Sequence, residues 1–249
     1  MDDHVRTNRE YWNREAGEYQ ERHAAHLDDT AIAWGVWRIA EEEVGALGEI
    51  RGRDALEYGC GGAQFSIALA GRGARAVGMD LSEAQLAHAR ANVERSGRKV
   101  ELVQADGEHI PFDQESFDVV FCDHGVMGFA EPERTIPEVA RVLRPGGRFA
   151  FSMATPWLHV CWNTEREVVD RTLHAPYFEL HHVNEPEGWI DFQRPYGEWI
   201  RLLRRAGLVV EDLVELRPPE GAQTTYGDYA PLGWARSWPS DHVWVATKS

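Results

Sequence analysis

The residues best suited to chemistry fall at three short turns. The first is Glu57-Tyr58-Gly59-Cys60-Gly61-Gly62-Ala63-Gln64, which joins an apolar run to a helical one. Glycines at such a turn let the backbone approach a ligand closely and adopt positive φ. The second is Asp80, which follows Gly59 by 21 residues. That spacing sets a carboxylate at the end of the next strand, where it can accept two ribose hydroxyls. The glycines alone describe a turn; with Asp80 in register they describe a nucleoside site. The third is Asp123-His124, directly after another apolar run. Histidine changes charge near neutral pH, so His124 is a candidate general base or substrate orienter, against a histidine merely hydrogen-bonded in a turn.

Positioning these turns requires a sheet whose strand ends lie along one edge. From Arg53 to about Met153 short apolar runs alternate with amphipathic ones, the pattern of βαβ units on a parallel sheet. Strands are predicted at Asp54–Tyr58, Arg75–Met79, Val100–Gln104, Phe117–Cys122 and Arg148–Met153, with two more at Leu208–Leu216 and His242–Thr247. Helices are predicted at Gln64–Ala70, at Glu83–Arg95 with Ser82 as N-cap and Gly97 at C′, and at Thr135–Leu143. A further helix starts with Pro195 in its first turn and carries Trp199, Leu202, Leu203 and Ala206 on one face. Two helices, Arg6–His23 and Thr30–Leu47, precede the first strand and are expected over the ligand edge. The fold class is therefore α/β: a doubly wound, Rossmann-like sheet in one domain spanning 1–249. It divides into an N-terminal helical cap (1–52), a cofactor-binding core (53–154), a lid insertion (155–194) and a C-terminal helix and strand pair (195–249).

The kind of nucleoside follows from two residues. A dinucleotide site wants G-x-G-x-x-G, and Gln64 stands where the third glycine belongs, which disfavours a nicotinamide dinucleotide and an oxidoreductase. Glu57 would repel a pyrophosphate but suits a ligand carrying an ammonium or a sulfonium. S-adenosylmethionine carries both. With Leu56–Gly61, Gly78–Ser82, Ala105–Phe112, Phe117–Phe121 and Arg141–Gly147 in order, the chain resembles the class I S-adenosylmethionine-dependent methyltransferases, in particular the broad group related to ubiquinone and menaquinone C-methyltransferases. It departs from many members at Ala63, where they have a third glycine.

The resemblance implies a seven-stranded methyltransferase sheet and a role for each matching residue. Glu57, Gly59, Cys60 and Gly61 would line the methionine part of S-adenosyl-L-methionine. Asp80 and Leu81 would hold the ribose and one adenine face, and Asp106 and Gly107 the adenine edge, although Asp106 also reads as a turn cap. Cys122 would offer its carbonyl to the ammonium group. Tyr11, Trp12 and Tyr19 match aromatic positions that close over the cofactor in relatives, or pack the first helix onto the domain. The stretch Val119–His124 also looks like the metal-bearing strand end of catechol O-methyltransferases, but Ser152-Met153-Ala154 lacks the second acidic cluster, so no metal is expected.

Composition narrows the partners. Lys+Arg 26 against Asp+Glu 41 gives net charge -15, which repels nucleic acid and anionic membranes. Three scattered cysteines make no disulfide framework, and with no signal peptide or long apolar run the protein is expected to be cytoplasmic. The long insertions 155–194 and 217–241 are rich in aromatic residues and read as lids over a small, aromatic or heterocyclic acceptor, with Trp157, His181 and Tyr196 as acceptor-binding candidates. The same aromatic surface could serve a homodimer. A ring-carbon methyltransferase acting on an indole or quinone, and a nonenzymatic S-adenosylmethionine-binding protein, remain as alternatives.

Overall fold

In the computed structural model, which describes residues 2–184 and 188–249, the apolar runs pair into one seven-stranded sheet. Its strands are β1 (Asp54–Tyr58), β2 (Arg75–Asp80), β3 (Val100–Gln104), β4 (Phe117–Asp123), β5 (Leu143–Ala154), β6 (Leu208–Leu216) and β7 (Asp241–Lys248). They lie in the order β6-β7-β5-β4-β1-β2-β3. The first five run parallel, whereas β7 is antiparallel to both β5 and β6. Strand order reverses between β1 and β4, so their carboxyl ends diverge into a crevice, the place where open α/β sheets bind ligands.

Side chains alternating along the strands supply two cores. Leu56, Val120, Phe149 and Trp244 face one side, covered by α4 (Pro132–Val142) and α5 (Tyr196–Arg205) through Ile136, Val139, Trp199 and Leu203. Ala55, Phe121, Val243 and Val245 face the other, covered by α2 (Gln64–Gly71) through Phe65, Ala68 and Leu69. The remaining long helices are α1 (Asp3–Arg22) and α3 (Glu83–Ser96). Ser82 caps α3 by accepting the Gln85 N–H at 3.0 Å, and Gly97 ends it in the left-handed conformation, as expected.

Three expectations about local structure need correction. The helix predicted over Thr30–Leu47 is instead a tight hairpin, Ala33–Trp34 against Ile39–Ala40, followed by a single helical turn at Glu41–Val44. Gly35 and Arg38 take left-handed φ of 68° and 53°, which a helix cannot accommodate. Glu41 then fixes the loop, accepting from Trp34 Nε1 at 2.6 Å and from the N–H groups of Ala46 and Leu47. Pro195 is the N-cap of α5, with extended ψ of 145°, and not its first helical residue. The strand predicted at Arg148–Met153 begins at Leu143, so Arg144-Pro145-Gly146-Gly147 lies within β5.

The insertions have ordered structure of their own. Residues 155–194 form a short helix, Pro156–Val160, a hairpin pairing Trp162–Asn163 with Val168–Val169, and a second pairing His182–Asn184 with Ile190–Phe192. Leu158, Val160, Val169 and Leu180 pack with Trp234 and Ala235 of the later insertion and with Val36 and Trp37 of the N-terminal hairpin. Three separate segments thus share one small core above the sheet edge. Among the described residues, no helix is long and apolar enough to cross a membrane, and no group of three or more His, Cys, Asp or Glu could hold a metal.

Candidate active site

The glycine turn is drawn in tightly at the end of β1. The N–H groups of Gly59 and Cys60 both donate to Met79 O, at 2.8 and 2.9 Å. Gly59 has φ 88°, and a Cβ there would lie 2.7 Å from Val126 N, so only glycine fits. Asp80, at the end of β2, accepts the Gly61 N–H and the Ser82 N–H at 2.8 Å each. Burial raises the pKa of its carboxyl group against the effect of these N–H groups. Each oxygen keeps lone pairs for a further donor. Leu81 is half-buried beside it, and Cys60 and Cys122 are buried. Beyond β3, Asp106 accepts the Glu108 N–H at 2.9 Å and remains partly exposed, while Gly107 is pressed against Val126 and accepts from the Tyr58 hydroxyl.

Glu57 explains the character of the site. Its Oε2 accepts both the N–H (2.8 Å) and the hydroxyl (2.5 Å) of Ser66, in the first turn of α2. The helix N-terminus that a pyrophosphate would need is thus already filled by a side-chain carboxyl. Burial pushes Glu57 up to about 8, with the nearby charges of Asp123 and Asp80 adding to the effect. Asp80 and Asp123 give the crevice a negative field, to which Glu57 adds once it loses its proton, and Asp80 offers acceptors for ribose hydroxyls. This donor set fits S-adenosylmethionine, which presents hydroxyls, an ammonium and a sulfonium.

Helix α1 roofs the crevice. Gln20 donates to Gln85 Oε1 at 2.9 Å and accepts from Gln64 at 2.8 Å, so it ties α1 to both α3 and the glycine turn. Tyr11 packs on Trp189 with ring centres 4.8 Å apart. The Tyr19 hydroxyl lies 2.7 Å from that of Tyr226, and His23 stacks on Tyr226 at 3.9 Å. Tyr11 and Tyr19 therefore face the insertions. Asn8, which is 1% exposed, secures the same junction by donating to Phe129 O and Ile190 O and accepting the Ile190 N–H.

His124 follows β4 in a left-handed conformation, with φ 50°. Its Nε2 lies 3.3 Å from Oδ1 of Asp241, the fully buried first residue of β7. The two atoms are within ion-pair distance, and neither makes a well-aligned hydrogen bond among the described residues. Burial pulls the His124 pKa down, but the carboxylate of Asp241, helped by Asp123 and Asp191, outweighs it and leaves it raised. Oδ2 of Asp241 accepts the Val36 N–H at 3.2 Å. Asp123 accepts the Gly35 N–H at 2.9 Å and the Ser152 hydroxyl. Tyr229, from the later insertion, meets the His124 ring edge-on at 5.7 Å.

The three acceptor-binding candidates lie elsewhere. Trp157 is 41% exposed and lines an outer groove of about 400 Å³ with Val160, Leu173, Ala175, Pro176 and Tyr177. The His181 side chain is exposed. Tyr196 packs 5.5 Å from His242, on the face of β7 opposite Asp241. The apolar run that marks the last strand in the sequence, His242–Thr247, begins one residue after Asp241, so the sequence alone does not bring Asp241 to the site. The signal was the Asp241-His242 pair, which repeats Asp123-His124 at a second strand end.

Comparison with known proteins agrees with this geometry. Residues 56–151 match the family described as a methyltransferase domain. The chain is 31% identical over 214 residues to the ubiquinone biosynthesis O-methyltransferase of Pseudomonas fluorescens, covering 83% of this chain and 81% of that protein. It is 37% identical over 122 residues to the demethylmenaquinone methyltransferase of Clavibacter sepedonicus, a match spanning 49% of each. An S-adenosylmethionine-dependent methyltransferase from Mesorhizobium loti superposes with TM-score 0.68 at 25% identity, over 86% of this chain and 100% of that one. The fold and site define an S-adenosylmethionine-dependent enzyme. The chain belongs to the class I methyltransferases, and among them it is related to those named for ubiquinone and menaquinone.

Proposed function

We propose that the protein methylates a hydroxyl on a small aromatic ring of the quinol type, with His124 as the base that takes the hydroxyl proton. The observation that carries this reading is the His124–Asp241 pair where the carboxyl end of β4 meets the start of β7, with neither facing atom in a well-aligned hydrogen bond among the described residues. When bound, S-adenosylmethionine supplies an electrophilic methyl on an excellent leaving group. The protein then has to align the oxygen, remove its proton and exclude water. Asp241 fixes the imidazole and stabilises the imidazolium formed when the proton arrives, as a buried carboxylate does for a histidine base. Glu57, Gly59, Cys60, Gly61 and the Cys122 carbonyl hold the amino-acid end of the cofactor. Asp80 and Leu81 hold the ribose, and Asp106 and Gly107 the adenine. The shared core of the insertions and the N-terminal hairpin keeps water from the edge. The quinol class is supported by the relatives named for ubiquinone and menaquinone.

The test is the His124→Ala variant, assayed with labelled S-adenosylmethionine on a panel of phenols and quinols. Loss of a general base should lower kcat about 10²–10⁴-fold with cofactor affinity intact. Retained kcat per folded molecule removes His124 from the chemistry. A methylated ring carbon in the product replaces O-methylation by the ring-carbon reading.

A further inference from the structure

A second histidine–carboxylate pair stands over the same strand ends. His159 Nε2 lies 3.4 Å from Asp191 Oδ2, with the two side chains 14% and 19% exposed. Nε2 itself is buried and has no hydrogen-bond partner among the described residues. His159 sits on the short helix Pro156–Val160 that continues from β5, and that helix is held beside β7 by Thr155, whose N–H donates to Ser240 O at 2.9 Å. Ser240 directly precedes Asp241. Asp191 comes from the hairpin strand Ile190–Phe192, packed on the short helix Val126–Phe129 that begins two residues after His124. Its Oδ1 lies 3.3 Å from where a Cβ on Gly128 would be. The two pairs are thus held by neighbouring continuations of β4, β5 and β7.

We propose that His159 and Asp191 are positioning residues for the acceptor: together they hold a second hydroxyl or N–H group of its ring, away from the reacting oxygen, and so decide which ring substituents are taken. This rests on the proposed methylation of an aromatic hydroxyl. The chemistry of the pair selects such a group. Burial drives His159 down to about 4, so at neutral pH it is an uncharged hydrogen-bond partner and not half of an ion pair. A hydroxyl can use both sides at once, accepting from an imidazole N–H and donating to a carboxylate, whereas an N–H group can only donate, to the carboxylate or to a bare imidazole nitrogen. An ether can accept but offers the carboxylate no proton. A bare ring carbon can do neither and leaves the buried imidazole nitrogen unmet, the condition under which sites discriminate most strongly. The difference from His124 gives a division of labour. One imidazole is made more basic by its carboxylate, and the other is kept neutral by its surroundings.

The experiment compares phenol with the three dihydroxybenzenes as acceptors, for the wild-type enzyme and for His159→Leu, His159→Gln and Asp191→Asn. Acceptor binding is followed by tryptophan fluorescence with S-adenosylhomocysteine present, and turnover by label transfer. Wild type should favour at least one dihydroxybenzene over phenol by tenfold or more in KM. His159→Leu should erase that preference while leaving KM and kcat for phenol within about threefold and cofactor affinity unchanged. His159→Gln, which keeps an N–H donor, should restore part of it, and Asp191→Asn gives an independent reading if the leucine variant folds poorly. A preference undiminished in every variant overturns the assignment of this pair and leaves the methylation reading standing. So does a wild-type enzyme that methylates phenol and the dihydroxybenzenes equally well. An enzyme that binds and methylates none of the four overturns the aromatic-hydroxyl reading and this one with it.

Discussion

Replacing Asp241 by asparagine removes the charge that faces His124 and keeps an oxygen for the Val36 N–H. At 3.3 Å, two unit charges in an effective dielectric of 20 interact by roughly 5 kcal/mol, which is a ceiling for the effect. The imidazole is 26% exposed and the partner atoms are poorly aligned, so the realised effect lies well below that ceiling. The sign is fixed: a neutral amide no longer favours imidazolium, so the His124 pKa falls. In the wild type the base is active only when neutral, and the acid limb of the kcat profile should therefore lie above the ordinary histidine range. In Asp241→Asn it should move to lower pH, while the plateau rate drops because a weaker base remains. Stability should follow the same group. A histidine whose pKa is raised on folding contributes stability that is fully present below about 6.5 and is lost as pH rises through the folded value. The melting-temperature gap between wild type and Asp241→Asn should accordingly be wider at pH 6 than at pH 9. The assay is a kcat series across pH 5–10 with melting curves at the same points. An acid limb that stays in place in the variant refutes the coupling.

Other outcomes follow from the cofactor crevice and its roof. Asp80→Ala should weaken S-adenosylmethionine at least tenfold in an equilibrium titration, since each charge-assisted hydrogen bond to the ribose contributes about 1.5–3 kcal/mol. Glu57, held up to about 8 by burial, carries a proton at pH 7, and a sulfonium nearby should release it. Calorimetry in buffers of differing ionisation enthalpy should then show proton release with S-adenosylmethionine, less with S-adenosylhomocysteine, and none with either in Glu57→Gln. Without ligand, the raised Glu57 pKa costs stability as pH rises from about 4.5 towards 8, so Glu57→Gln should melt higher than wild type at pH 8 and not at pH 4. Asn8→Ala leaves one N–H and two carbonyls unmet at the junction of α1 with the lid, at a cost of about 3 kcal/mol. A fall in melting temperature of about 6–12 °C should result, and a fall under 2 °C would show that water replaces the side chain.

The central sheet was legible because its signals are local and repeat each other. Each β–turn–α step from Asp54 to Gly97 carries its own apolar run, turn glycine or cap, and the structure reproduces Ser82 and Gly97 in the roles their types predict. The stretch Thr30–Leu47 misled because Trp34, Trp37 and Val44 also suit a helical face. What decides against the helix is tertiary: Gly35 N–H reaches Asp123, and Val36 N–H reaches Asp241, more than two hundred residues on. The candidate base was visible as His124, but its partner was not. Pairing of β7 with β5 brings Asp241 opposite Ala154, and no spacing along the chain encodes that register. The same holds for His159 and Asp191, which meet only because the two ends of one insertion fold onto the same edge. Spacing reveals groups that act within one turn; it does not reveal partners assembled by the sheet.

The left-handed backbone at His124 has a consequence for how this protein can change. A non-glycine residue with φ 50° carries a local conformational cost of roughly 1 kcal/mol or more, which glycine would not incur. In a laboratory lineage screened for heat resistance alone, His124→Gly would therefore spread only at a pH where the imidazole is neutral and its attraction to Asp241 is lost, and the survivors would be inert. At lower pH the pair would hold the histidine in place. In a lineage screened for turnover the histidine would persist, and stabilising changes would accumulate elsewhere. Parallel evolution under the two regimes would thus report, by the fate of one codon, whether the strain at this turn is retained for chemistry.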